Sequence, residues 1–243
     1  VREEQAYAWR VEAALRRQGA RVRAVNAGVP GYSSAQSRFQ LDALLDVAQP
    51  DVVVIGNIWS DMMRTGWSDA ELFARFGAPE HARDLRVQGA LGRSALYRAV
   101  QAVVLGLRPV PDDRRILWNT VLDGAPGATR TRNTAAEHRA NLDAMAAAAT
   151  AAGARVVTLV LPVNTTGERP PDDVLAPYHA NLRAVGAAHA GVVDMAAAWS
   201  ELDPTAVEAR FVDRVHPSVL GHSEIADALT PVVAAALASD GPG

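Results

Sequence analysis

The residues best suited to chemistry lie near the C-terminus, in Asp213-Arg214-Val215-His216-Pro217. A histidine can serve as a general base at neutral pH when its second ring nitrogen is held by an acceptor. The acceptor fixes the tautomer and stabilises the imidazolium that forms. An aspartate three residues earlier, on a loop running into a helix opened by proline, can fold back to do this. A lone histidine after a loop is more often a surface residue. Asp213 and His216 at this spacing, with Pro217 at a helix start and Gly221-His222 following, are a far more specific combination.

Two other segments could supply donors for a developing negative charge. In Asn26-Ala27-Gly28-Val29-Pro30-Gly31-Tyr32-Ser33 the glycines let backbone approach a substrate closely, and the Gly31 amide sits just ahead of a helix start. Taken alone, it reads more readily as a Gly/Pro turn between a strand and a helix. In Gly56-Asn57-Ile58-Trp59-Ser60-Asp61 the side chains of Ser60 and Asn57 follow an apolar run. There they could donate to an oxyanion, or only cap the next helix. Tyr32, Trp59 and Asp61 are the expected lining of a substrate pocket at these loops.

These loops must be positioned by regular elements. Tyr7, Val11, Ala14 and Leu15 recur at helical spacing, predicting a helix from Glu3 to Gln18 that stops at Gly19. Arg21 to Asn26 reads as a short strand. Ser33 and Gln36 form a capping box for a helix reaching Pro50. The continuous apolar run from Asp51 to Gly56 suits a strand buried on both faces of a parallel sheet. Thr134 and Glu137 cap an alanine-rich helix to about Ala152, and Arg155 to Leu161 is a strand. A helix from about Val174 to His189, a strand from Gly191 to Met195 and a last helix beginning after Pro217 and ending near Ala238 complete the alternation. Such alternation implies a doubly wound parallel sheet, whose ligands gather outside the carboxyl ends of the strands.

Residues 62 to 133 interrupt that rhythm. They hold a capped start at Ser68 and Glu71, an apolar helical stretch from Leu91 to Leu107, and a Pro/Asp-rich break from Pro109 to Asp113. The segment is too long for a plain connection, so it reads as an inserted lid or cap on a single domain. Trp59, Trp67, Phe73, Phe76 and Trp118 could line an acyl or glycan pocket there, or pack as the insertion's own small core. Arg83, Arg86, Arg130 and Arg132 could grip an anion but read more readily as a solvated face. His81, His138, His179, His189 and His222 show no metal-ligand spacing.

With 243 residues, 49% hydrophobic and 21% charged, the chain has the composition of one sizeable α/β domain. Its net charge of −3 speaks against a nucleic-acid partner. The absence of cysteine excludes disulfides and thiolate chemistry. No apolar run reaches the roughly 18 residues a membrane helix requires. Compartment and oligomeric state leave no trace in the sequence.

The three loops, in this order, resemble three conserved blocks of the GDSL/SGNH hydrolase superfamily. Gly31 matches the glycine whose amide contributes to the oxyanion hole. Ser60 stands where that family usually has an asparagine donor, with Asn57 as a possible alternative. Asp213, His216 and Pro217 match the D-x-x-H-P block without a gap. The resemblance covers residues 1 to about 61 and 134 to 238. It implies a three-layer α/β/α sandwich with a flavodoxin-like parallel sheet, and ester hydrolysis without metal or organic cofactor.

The family's nucleophile is the serine of a G-D-S motif after the first strand, and no G-D-S occurs here. The resemblance therefore implies a first strand and a nucleophilic serine upstream of Val1. Ser33, Ser34 and Ser60 are the hydroxyls that could substitute, but none sits on a recognisable elbow. The expected substrate is a small-molecule or glycan ester. The same residues would serve an acyltransferase, and the serine at position 60 would suit a degenerate, non-catalytic binding domain.

Overall fold

Three short strands organise the molecule: β1 (Val52–Ile55), β4 (Arg155–Val160) and β5 (Gly191–Asp194). The computed structural model describes residues 2–65, 68–76, 130–164 and 172–238. The three strands are parallel in the order β1-β4-β5, with Val52 opposite Arg155 and Val157 opposite Gly191. β4 is central, and its last five residues are buried. Its β-branched run fits a strand covered on both faces.

Alternation along β4 divides the core in two. Val156 and Val160 face one layer, containing α2 (Ser34–Ala48), α5 (Ala135–Ala151) and α6 (Asp172–Ala187). Val157 and Leu159 face the other, containing α1 (Tyr7–Arg17) and α9 (Val219–Ala238). Leu142 and Leu182 fill the first layer; Leu15, Ile225 and Leu229 fill the second. Burying each such side chain contributes roughly 1.5–3 kcal/mol. Helices on both faces of a parallel sheet make this the α/β/α architecture expected from the alternating pattern. Among the described residues, no helix is long and apolar enough to cross a membrane.

The helix starts follow local rules. The Ser33 hydroxyl accepts from the Gln36 amide, while the Gln36 side chain accepts from the Ser33 amide at 3.1 Å. The Ser68–Glu71 and Thr134–Glu137 pairs repeat this reciprocal arrangement. They open α4 (Asp69–Phe76) and α5. Each box satisfies two amides that a helix start leaves without partners.

Three expectations need correction. Arg21–Asn26 forms no strand: the described residues provide no ladder partner beside it, and Val25 is 54% exposed. Side chains of α1 hold it instead, with Arg16 Nε donating to the Val22 carbonyl and Glu12 accepting from the Ala24 amide. β1 is not buried on both faces either, since Val54 is 39% exposed. Among the described residues β1 pairs only with β4, and an edge strand lacks the cover a central one receives. Finally, the first helical segment is divided into a 3-10 turn at Glu3–Gln5 and α1 proper.

The base of the interrupting segment is also defined. β2 (Arg64–Thr65) pairs antiparallel with β3 (Arg130–Thr131), so the chain leaves and returns side by side. The stretch Leu91 to Leu107, the break at Pro109 to Asp113, and Trp67, His81, Arg83, Arg86 and Trp118 lie outside the described residues, as does the Phe76 side chain. α3 (Trp59–Met62), α7 (Met195–Ser200) and α8 (Pro204–Ala209) are short helices completing the described chain.

Candidate active site

The loop bearing Asp213 and His216 is pinched at its neck. Phe211 and Pro217 form an antiparallel bridge, and the Val212 amide donates to the His216 carbonyl at 2.9 Å. Ser218 donates its amide to Arg210, closing the loop against the start of α9. Inside it, Asp213 Oδ1 accepts the amides of Val215 and His216 at 2.9 and 2.8 Å. The other oxygen, Oδ2, lies 2.7 Å from His216 Nδ1. A carboxylate can only accept, so Nδ1 carries the proton and Nε2 of the neutral ring is left as the basic nitrogen.

Nε2 has no hydrogen-bond partner among the described residues, and the side chain is 64% exposed. Partial burial pushes the Asp213 carboxyl up. The two amides, the ring hydrogen bond and the charge of His216 outweigh it, so the carboxyl titrates below the usual aspartate range. Asp213 is thus ionised at neutral pH and held by its own loop. Asn164 joins this loop to the carboxyl end of β4 by donating its amide to the Arg214 carbonyl at 3.0 Å.

The other two loops meet at a buried carboxylate. Gly31 has φ +80°, the left-handed conformation that glycine adopts without a Cβ penalty. Its amide has no partner among the described residues, while Tyr32 closes the turn by donating to the Val29 carbonyl. Ser60 is buried in the first turn of α3. The next residue, Asp61, is fully buried and accepts from the Ser34 amide at 3.0 Å, the Ser34 hydroxyl at 2.5 Å and Asn133 Nδ2 at 2.8 Å. One carboxylate therefore ties the loop after β1 to the helix that follows Gly31.

The structure places the remaining site residues as follows. Asp61 does not line an open pocket, because its oxygens are consumed inside the protein. The Asn57 side chain donates to Ser37 Oγ at 2.7 Å, so it is already engaged with α2. Trp59 packs against the core, and its indole N–H has no partner among the described residues. Tyr32 is 37% exposed beside the Gly31 turn. Ser33 and Ser34 are wholly buried and give their hydroxyl protons to Asp69 and Asp61, which ill suits either as a nucleophile. No hydrogen bond joins His216 to Gly31, Ser60 or Asn57 among the described residues. What they share is position after the carboxyl ends of parallel strands or beside loops anchored there.

Several residues that shape this region escaped sequence reasoning. Arg132, read as part of a solvated face, is 8% exposed and bonds to Asp69, Gly31 and Gln36. Asn133 donates one amide group to both Asp61 and Asp69. His138 is fully buried, with Nε2 donating to the Asn57 carbonyl at 2.9 Å and Nδ1 facing Asn181 at 3.3 Å. Burial holds the His138 pKa below its ordinary value despite the opposing influence of Asp61 and the Asn57 carbonyl. Burial likewise raises Asp61, against the charge of His138 and the bonds from Ser34 and Asn133. The sequence signal for Asp69 and Arg132 was only a capped helix start and an arginine, 63 residues apart.

Solved structures with the same fold are similar to this chain at low identity. The crystal structure of TesA is 18% identical, with a TM-score of 0.53, over 96% of this chain and 89% of that one. LAE5, described as an alpha/beta hydrolase enzyme from the metagenome of Lake Arreo, Spain, is 16% identical, with a TM-score of 0.56, over 96% and 83%. The psychrotrophic esterase EstA from Pseudoalteromonas sp., in a structure inhibited by monoethylphosphonate, is 14% identical, with a TM-score of 0.50, over 96% and 88%. A search of curated proteins finds no match. A family model described as GDSL-like Lipase/Acylhydrolase matches residues 5–229, nearly the whole chain, and the protein belongs to that family.

Proposed function

We propose that the protein hydrolyses carboxylic esters by a serine mechanism in which His216 is the general base and Asp213 its orienter. The observation that carries this reading is the 2.7 Å contact from Asp213 to His216 Nδ1, with Nε2 left without a partner among the described residues. His216 Nε2 takes the proton of a serine as its oxygen attacks the ester carbonyl. The imidazolium, held by ionised Asp213, then returns that proton to the leaving alcohol, and water completes turnover by the same route. The Gly31 amide is the proposed oxyanion donor, with Ser60 as a second; Asn57 would have to leave Ser37 to take part.

The reading assigns the nucleophile to a serine on a strand along the free side of β1, encoded ahead of Val1. Supporting this, among the described residues, are the side of β1 that no strand occupies and the extended residues 21–26 without a ladder partner. Such a strand would bring the serine to the same sheet end as the loops. The interrupting segment around 62–133 is proposed as a cap that sets the choice of ester.

The test uses the protein from its complete reading frame with p-nitrophenyl acetate and butyrate. Wild type releases p-nitrophenol, and His216→Ala loses activity by a factor on the order of 10³ or more. Equal rates for both proteins would overturn the assignment. An added alcohol that captures the acyl group in preference to water would redirect the reading from hydrolysis to acyl transfer.

A further inference from the structure

Arg132 occupies a position that a simple ion pair does not explain. Each of its three guanidinium nitrogens has a different acceptor on a different piece of chain. Nε donates to Asp69 Oδ1 at 3.1 Å, the first residue of α4. Nη1 donates to the Gly31 carbonyl at 2.8 Å, and Nη2 to Gln36 Oε1 at 2.6 Å, in the first turn of α2. The backbone of Arg132 is equally fixed: its amide donates to Met63 and its carbonyl accepts from Asp69, both within 3 Å. A planar fork held this way has little freedom, and it fixes whatever it grips.

What it grips is the peptide following Gly31. Among the described residues that turn has one backbone–backbone hydrogen bond, from Tyr32 to Val29 at 3.1 Å, and its glycine sits at φ +80°. A glycine turn so lightly tied would sample several conformations. The guanidinium removes that freedom from the side opposite the Gly31 amide along the chain.

We propose that Arg132 is a positioning residue for the Gly31 turn, holding it so that its amide keeps the direction an oxyanion donor needs, and coupling the β2–β3 base of the interrupting segment to that turn. The inference rests on the ester-hydrolase reading above for its catalytic consequence, but not for the clamp itself. Lysine at this position could answer Asp69 but lacks the planar fork that reaches three separate acceptors at once.

The experiment compares Arg132→Lys with wild type and with Arg130→Ala, which removes the exposed Arg130–Glu71 pair at the start of β3. Amide hydrogen exchange is followed in peptides covering residues 28–36, and kcat and KM are measured with p-nitrophenyl butyrate. Expected for Arg132→Lys are faster exchange confined to 28–36, kcat lower by about tenfold and KM within about twofold, a fraction of the ~10²–10³ lost when an oxyanion donor is deleted. Arg130→Ala should change neither readout. If Arg132→Lys does not melt cooperatively, Arg132→Gln, which keeps a side-chain donor but not the three-pronged fork, is judged by the same readouts. Unchanged exchange across 28–36 in the folded variant, or a raised KM with kcat intact, overturns the proposal. If wild type and His216→Ala both fail to hydrolyse esters, the functional reading fails, and the exchange data still decide the clamp.

Discussion

The carboxylate of Asp61 accepts both the amide and the hydroxyl of Ser34, and so joins the loop after β1 to the first turn of α2 inside the protein. Three donors converge on this group, and Asn133 is the third. A buried acceptor this fully used is expensive to alter, because every partner loses its bond at once.

Asp61→Asn keeps the shape but turns one acceptor oxygen into a donor that must face either Ser34 or Asn133. The expected loss is about 2–3 kcal/mol of unfolding free energy, the cost of leaving a buried donor unmatched. Urea unfolding followed by circular dichroism measures it. A change below about 0.5 kcal/mol would mean that the network repairs itself.

Asp213→Asn retains an oxygen for the amides of Val215 and His216 but removes the charge beside Nδ1. Under the proposed mechanism kcat should fall by a factor on the order of 10³–10⁴ with little change in the melting temperature. The melting temperature is the control, since the loop neck is closed by backbone bonds the substitution does not touch. A variant with near-wild-type kcat would show that Asp213 orients nothing that matters to turnover.

His138 gives a stability prediction with a definite sign. Burial lowers its folded-state pKa, so between that value and the ordinary histidine value the unfolded chain binds more protons than the native one. Stability from this group is therefore complete above about pH 6.5 and is lost as pH falls below it. His138→Gln should be less stable at pH 7.5, having lost the Asn57 and Asn181 contacts, but its melting temperature should fall less between pH 7 and pH 5 than that of wild type. His222, also held low by burial, contributes to both proteins and cancels in the comparison. Parallel melting curves across that range would remove His138 as the source of acid sensitivity.

Gly221 lets the start of α9 lie against the Asp213–His216 loop. A Cβ there would overlap the Arg210 carbonyl and meet Pro217 Cβ at 3.0 Å and the Trp199 ring at 3.2 Å. Gly221→Ala should cost about 1–3 kcal/mol by forcing the helix away. Because Arg210 also receives the Ser218 amide at the loop neck, the same shift should lower kcat. Intact stability would show that α9 has room to tilt.

Much of this molecule was legible because its determinants are local. Ser33 with Gln36, Ser68 with Glu71 and Thr134 with Glu137 lie three residues apart, and all form the reciprocal caps their spacing predicts. Asp213 and His216 have the same separation, so a single tight loop suffices to bring ring and carboxylate together. The apolar run that became β4 is buried on both faces, as its composition demands. The strand expected at Arg21–Asn26 failed for the complementary reason: a strand needs a partner, and periodicity within six residues says nothing about whether one is beside it.

By itself, then, the sequence determined the alternating α/β layout, the helix starts, the Asp213–His216 loop and the glycine turn at Gly31. Each depends on residues within a few positions of one another, where backbone geometry leaves few choices. Only the tertiary structure decided that Arg132 is buried against Gly31, that Asp61 is an internal tie instead of a pocket wall, and that His138 sits beneath Asn57. Those contacts join residues separated by 27 to 101 positions. Their formation depends on the shared burial of whole elements, and the cost of leaving polar groups unpaired there selects the partners once the layers have packed.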